Sequence, residues 1–197
     1  MEKELENQTS AVTEEKEEKK KGLLWIIFDS LMWCLLGIGL GTFLVTQVGF
    51  IGEIPSESMS PTLEVGSYIY VDRLAYKKEP VQLNDIVVFK SWKNPDNKYV
   101  KRVVGLPGDT IDIHYGNLVR NGRNESSNFM TYGVTNKIGK IEGEEASQEV
   151  VYPLTLGEGE YFVLGDNREN SLDSRVFGVL KEENIIGKYE FTLNDLK

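Results

Sequence analysis

The chain opens polar and turns abruptly apolar. Residues 1–21 are rich in Glu and Lys with almost no large apolar side chain, which predicts a disordered tail over residues 1–22. From Leu23 to Ile51 the only charge is Asp29, and Ser30–Phe50 has none. A helix needs about 20 such residues to cross a bilayer core. Residues 23–50 therefore read as a transmembrane anchor, too long for a core helix of a small domain. Beyond them the hydrophobic period shortens to two. Ser67–Leu74 sets Tyr68, Tyr70 and Asp72 against Ile69, Val71 and Arg73, and Ile86–Lys90, Tyr99–Val104, Thr110–His114 and Asn117–Arg120 are further short strands. Tyr115-Gly116-Asn117 and Asn121-Gly122 supply turns, and Tyr161–Leu164 and Ile185–Leu193 later strands. Residues 123–149 break the pattern: Asn, Ser, Gly and Glu dominate, so a variable insertion, a short hairpin or a flap is expected there. The fold class that results is mostly β, one domain over residues 51–197 behind one N-terminal helix.

Charge orients the anchor. Lys19, Lys20 and Lys21 abut its N-terminal side, while Glu53 and Glu57 follow it. The positive-inside rule then predicts a single-pass protein of the cell membrane, with its tail in the cytoplasm and its domain outside. A cleavable leader is disfavoured, because Ala11, Ala75 and Ala146 are the only alanines and none lies near the end of the apolar run. Gly37 and Gly41 form a small-xxx-small pair, weak evidence for helix association that leaves the oligomeric state open.

Composition removes several chemistries. A formal net charge of −9 argues against nucleic acid as a partner. Cys34, the single cysteine, sits within the apolar run and can form no intramolecular disulfide. With His114 the single histidine and no set of cysteines, no metal site and no cofactor is implied. His114 itself reads as a strand residue entering a turn.

Three segments carry candidate chemistry. Ile54-Pro55-Ser56-Glu57-Ser58-Met59-Ser60-Pro61-Thr62-Leu63 places three serines between two prolines, so it is neither helix interior nor central strand. Tyr99-Val100-Lys101-Arg102-Val103-Val104-Gly105-Leu106-Pro107-Gly108-Asp109 puts Lys101 and Arg102 on opposite faces of a strand. Arginine cannot usefully release its proton, whereas a buried lysine can. Gly165-Asp166-Asn167-Arg168-Glu169-Asn170-Ser171-Leu172-Asp173-Ser174-Arg175 is a polar loop directly after an apolar strand. A serine paired with a neutral lysine is a known variant of nucleophile–base catalysis. Spacing alone does not choose among Ser56, Ser58 and Ser60 as the nucleophile. Neither a Gly-x-Ser-x-Gly elbow nor a Ser-x-x-Lys motif is present.

Together, in this order, and with Asp85-Ile86-Val87-Val88-Phe89 between the first two, these segments resemble the bacterial type I signal peptidases (leader peptidases). The resemblance covers most of the chain from the anchor to Gly178; Glu169 stands where that family usually has Asp, which keeps the charge. It implies the antiparallel β fold shared with repressor-type autoproteases. It also implies a membrane-anchored serine endopeptidase that removes signal peptides by cutting after small residues at Ala-x-Ala sites. Residue by residue, it makes Ser58 the nucleophile, Lys101 the general base and Ser56 a hydroxyl donor to the oxyanion. Ser171 becomes the hydrogen-bond partner of the lysine amine, and Asp173 a supporting carboxylate with Arg168 and Arg175 as charge partners. Ile54, Pro55, Met59, Leu63, Tyr99 and Val100 become the lining of small apolar substrate pockets. The implied partners are signal-peptide-bearing pre-proteins leaving the secretion translocon, and membrane lipid.

Roughly ten residues separate Val48 from Ser58, and an extended chain covers at most about 3.6 Å per residue, so the serine lies within ~35 Å of the membrane face. A precursor held in the same bilayer presents its cleavage segment at that level, which raises effective concentration. The rival expectations are a non-enzymatic relative, which should have lost Ser58 or Lys101, and a peptidase dedicated to one client or to its own maturation.

Overall fold

The computed structural model describes residues 2–125 and 150–193. It divides into two compact units, Met1–Gln47 and Val48–Lys197. The first is one helix, α1 (Glu2–Val48). Its Lys20–Phe43 stretch, 24 residues with a mean hydropathy of 2.0, is long and apolar enough to cross a membrane. The tail expected to be disordered has helical backbone here. Once an apolar segment has nucleated a helix, extension is easy, and Glu, Lys and Gln extend it well. Composition alone judged that tail as if it were isolated.

The second unit is mostly β. In chain order it contains β1 (Gly49–Glu53), β2 (Tyr68–Asp72), the short helix α2 (Ala75–Lys78), β3 (Ile86–Lys90), β4 (Lys98–Gly105), β5 (Thr110–His114), β6 (Asn117–Arg120) and β7 (Arg123–Asn124). After residues 126–149, which lie outside the described residues together with the hairpin or flap expected there, come β8 (Leu154–Thr155), β9 (Glu160–Leu164), α3 (Ser174–Phe177), β10 (Leu180–Lys181) and β11 (Ile185–Thr192). All described pairings are antiparallel. Seven strands form one sheet in the order β1-β2-β11-β3-β4-β9-β10, and four form a second in the order β7-β6-β5-β8.

Where polar and apolar positions alternate cleanly, the elements follow the sequence. β3, β5 and β6 keep the expected ends, and β2, β4, β9 and β11 differ by a residue or two. Both expected turns form with two left-handed residues each: Tyr115 and Gly116 at φ 48° and 80°, Asn121 and Gly122 at 53° and 75°. That geometry matches the right-handed twist of the flanking strands.

The alternation of β3 and β4 also builds the core. Val87, Phe89 and Val103 pack with Tyr161, Val163 and Phe177 on one side of the sheet, and Tyr99 leans on this cluster. Ile86 and Val88 pack on the other side with Ile54, Met59, Leu63, Ile69 and Val71, joined by Val100. A third cluster, including Val104, Ile111, Leu118, Leu156, Phe162 and Leu164, joins the smaller sheet to the larger. Each such side chain, fully buried, contributes about 1.5–3 kcal/mol.

The expected anchor is corrected at its end. Gly49 and Phe50 start β1, which pairs with β2 from Gly49↔Asp72 to Glu53↔Tyr68. Phe50 packs on the second cluster, its ring facing Arg73 at 5.0 Å and Lys98 at 4.7 Å. Gly49 passes so close to β2 that a Cβ there would lie 2.5 Å from both Tyr70 Oη and Val71 O. A continuous apolar run suits a buried strand as well as a helix, so periodicity could not mark the change.

Candidate active site

Ser58 occupies a single 3₁₀ turn, Glu57–Met59. The Ser60 N–H closes it on Glu57 O at 3.0 Å, and the Leu63 N–H donates to Met59 O at 2.9 Å. Met59 and Leu63 are buried with Ile54 in the second cluster, which pulls the turn onto the sheet. The loop after β9 holds it from the other side. Asn167 N–H donates to Ser58 O at 3.1 Å. A Cβ at Gly165 would lie 2.5 Å from Ser58 O and collide with Ser171 Oγ, so close approach excludes a side chain there.

Lys101 reaches the serine from β4. Opposite Val87 in register, it stands between Tyr99 and Val103 on the face of the first cluster. Its amine donates to Ser58 Oγ at 2.7 Å and to Val100 O at 2.8 Å. Ser56 donates its hydroxyl to Ser58 Oγ at 3.3 Å. The lysine is 3% exposed, and burial lowers its pKa from 10.5 to about 8. Asp173 and Asp166 oppose that shift and Arg175 supports it. The carboxylates oppose it weakly because each already has an arginine of its own, whose field partly cancels theirs.

Those two ion pairs organise the polar loop. Arg102 grips Asp166 through Nε at 2.8 Å and Nη2 at 2.7 Å, and Thr62 Oγ1 donates to the same carboxylate at 2.5 Å. Arg175 binds Asp173 through Nε and Nη2, both at 2.8 Å, and Gly165 N–H donates to it at 3.0 Å. Burial alone would raise the Asp173 carboxyl; the Arg175 bonds and charge and the Gly165 N–H outweigh burial and hold it below its ordinary value. Bidentate pairing of this kind is what permits charges in a dry interior.

The larger sheet leaves one edge open beside this cluster. β4 pairs with β3 along Lys98–Arg102, but with β9 only between Arg102 and Gly105. Among the described residues, Lys98–Lys101 has no strand on its β9 side.

The family described as signal peptidase, peptidase S26, matches residues 27–194. The chain belongs to that family. It is accordingly a peptidase, a hydrolase of peptide bonds. Signal peptidase IB of Staphylococcus aureus strain MW2 is 36% identical over 178 residues, covering 88% of this chain and 90% of its own. Signal peptidase I of Bacillus caldolyticus is 36% identical over 177 residues, covering 89% and 92%. A crystal structure of a signal peptidase I from Enterococcus faecalis is 35% identical and covers 56% of this chain and 97% of that one, with a TM-score of 0.43.

Within this signal peptidase fold, the structure brings Ser58, Lys101 and Ser56 together and sets the Asp173–Arg175 pair beside them. Two expectations, for Ser171 and for the pocket residues, are redirected. Among the described residues Ser171 Oγ, which is buried, makes no hydrogen bond to Lys101; it lies instead close enough to Asp173 to help hold that carboxylate ionised. Arg168, expected as a charge partner of Asp173, feels that carboxylate's charge and also donates from Nε to Gly165 O at 3.0 Å, which braces the loop backbone. Of the expected pocket residues, Ile54, Met59 and Leu63 are core, Tyr99 and Val100 are half-buried, and Pro55 is exposed. His114 sits on β5 with its side chain 61% exposed, against Asp112. Sequence reasoning missed the Arg102–Asp166 grip and the Thr62 contact. The available signal was the charge of Arg102 at an inward-facing position, which demands a buried carboxylate.

Proposed function

We propose that this protein removes signal peptides from secreted precursors by a Ser58–Lys101 dyad. The observation that carries the reading is the 2.7 Å contact between the buried Lys101 amine and Ser58 Oγ. Serine needs an adjacent base, and a lysine serves as one only when neutral, with its pKa pulled toward roughly 7–8. With the amine neutral, the Ser58 hydroxyl donates across this contact. As Oγ attacks the scissile carbonyl carbon, its proton passes to Lys101 Nζ. The oxyanion that forms takes hydrogen bonds from the Ser58 N–H and the Ser56 hydroxyl, which swings from Ser58 Oγ to the new negative charge. The Lys101 ammonium then gives its proton to the departing amine, breaking the C–N bond. Neutral again, it takes a proton from the water that attacks the acyl-Ser58 ester and returns it to Ser58 Oγ as the acyl–oxygen bond breaks, which frees the acid product and restores the dyad.

The open edge of β4 suits a substrate that binds as an added strand, its backbone paired and its alternate side chains set into pockets. Tyr99 and Val100 flank that edge on opposite faces, Val100 over a floor of Ile54, Met59 and Leu63, leaving room for Ala-like residues one and three positions before the cut. The Lys20–Phe43 segment would anchor the enzyme, with Lys19–Lys21 on the cytoplasmic side and the peptidase domain outside, where precursors leave the translocon. Detergent-solubilised full-length protein, incubated with a precursor peptide carrying one Ala-x-Ala site, should yield a single cut after the second Ala by mass spectrometry. The Ser58→Ala protein should yield none. Cleavage elsewhere, or by the Ser58→Ala protein, would overturn the reading.

A further inference from the structure

The burial of Lys101 has an architectural source outside the dyad. On its own face the lysine is bordered by Val87, Tyr99 and Val103. The two valines are fully buried, but Tyr99 is only half-buried, so of these three neighbours it is the one that solvent can reach. The Tyr99 ring centroid lies 5.9 Å from Nζ. What holds that ring is an aromatic row: Tyr99 packs on Phe89 at 6.0 Å and on Trp92 at 5.7 Å, and Trp92 lies 4.9 Å from Phe177 of α3 at an interplanar angle of 30°. Phe89, buried on β3, and Trp92, half-buried on the loop that follows, thus both join Tyr99 to Phe177 of α3, the short helix that Asp173 caps.

The loop carrying Trp92 is fixed for this purpose. Ser91 N–H donates to Asn97 O at 2.9 Å, and Ser91 Oγ accepts from the N–H groups of Lys93 and Asn94 at 3.2 and 3.4 Å. The Trp92 indole N–H is buried with no hydrogen-bond partner among the described residues. Stacking, not hydrogen bonding, therefore sets the ring's place.

We propose that Trp92 is a positioning residue for the reaction: it wedges the Tyr99 ring over the Lys101 amine and keeps water from it. This rests on Lys101 acting as the base. The other groups that bear on the amine, Ser58 Oγ and the Asp166 and Asp173 carboxylates with their arginines, are held by hydrogen bonds that do not involve Trp92, whereas the Tyr99 hydroxyl moves with its ring. Tyr76 and Tyr161 belong to the same cluster and remain neutral, because burial raises their ionisation. Deleting the indole opens a gap beside Tyr99, lets the ring swing out, and restores hydration of the ammonium form.

The test is the pH–rate profile of full-length protein in detergent with the Ala-x-Ala peptide. Trp92→Ala should move the midpoint of the acid limb alkaline by about one unit, so that the rate at pH 7 falls roughly tenfold while the alkaline plateau is kept. Trp92→Phe, which preserves a ring in the row, should return the midpoint close to wild type. Should the Ala protein fail to fold by circular dichroism, Trp92→Leu, an apolar filler too small to prop Tyr99, decides by the same measurement. A uniform loss of rate at every pH with an unmoved midpoint would overturn the proposal. A wild-type profile with no limb well below pH 10 would instead overturn Lys101 as the base, so the two failures are distinguishable.

Discussion

Lys101 and Lys188 flank the same residue, Val87, one strand to either side in register. Sheet geometry therefore aims them at the same face, yet they end in opposite chemical states. Lys101 is 3% exposed and its nearest partners are a hydroxyl and a carbonyl; burial lowers its pKa to about 8. Lys188 keeps a side chain 32% exposed and lies 2.7 Å from an Asp85 carboxylate oxygen; that hydrogen bond, ahead of burial, raises its pKa. A neutral dipole can orient an amine without stabilising its charge, whereas a carboxylate locks the proton on. Partner type and solvent, rather than residue type or register, separate a candidate base from a structural cation.

The largest test of the contrast is deletion. Ser58→Ala or Lys101→Met should lower kcat for peptide cleavage by ~10⁴-fold or more, with the double variant scarcely worse, because a dyad acts as a unit. Lys188→Met should leave cleavage nearly unchanged; equal losses at the two lysines would erase the distinction. Next in size, Ser56→Ala should reduce kcat by about 10²–10³-fold with little change in KM if its hydroxyl serves the oxyanion. An unaltered kcat would reduce Ser56 to a turn former.

The pH dependence sharpens the comparison further. The base must be neutral, so activity should rise with pH through a single ionisation near the Lys101 pKa of about 8. Two units below it only about 1% of the lysine is neutral, and the rate should stand ~100-fold under the plateau. Stability should show the mirror image. The depressed folded-state pKa of Lys101 destabilises the protein by about 3 kcal/mol below pH 8. That penalty fades as pH rises from 8 toward 10.5, so thermal melts should find Lys101→Met most stabilising at neutral pH and progressively less so above it. For Lys188 the sign reverses: its raised pKa contributes stability below the unfolded value of 10.5 and loses it above, an effect of at most about 1 kcal/mol for a screened pair. The smallest effect belongs to His114→Ala, which should keep activity within about twofold, since its side chain is exposed on the smaller sheet. A large loss with normal folding would bring histidine back into the mechanism.

Strand alternation was legible because it is local. Tyr99, Lys101 and Val103 share a face wherever the sheet goes, and β3, β5 and β6 formed over the residues the pattern marked. The serine segment, the lysine strand and the polar loop were legible as motifs, and so was the family. β1 was not, because Gly49-Phe50-Ile51 continues an apolar run without a break in hydropathy. The helical backbone of the tail was not either, because cooperativity with the adjoining segment is invisible to composition.

By itself, then, the sequence determined which residues are apolar, which face each strand residue takes, where turns break the chain and which reactive groups exist. Partnership was decided only in three dimensions. Ser58 and Lys101 are 43 residues apart, Arg102 and Asp166 are 64 apart, and Thr62 reaches Asp166 across 104. Lys101 became a candidate base, and Lys188 did not, because folding laid a serine turn and an aromatic wall against one and left a carboxylate and water beside the other. Alternation specifies direction, whereas desolvation depends on everything that packs in from elsewhere.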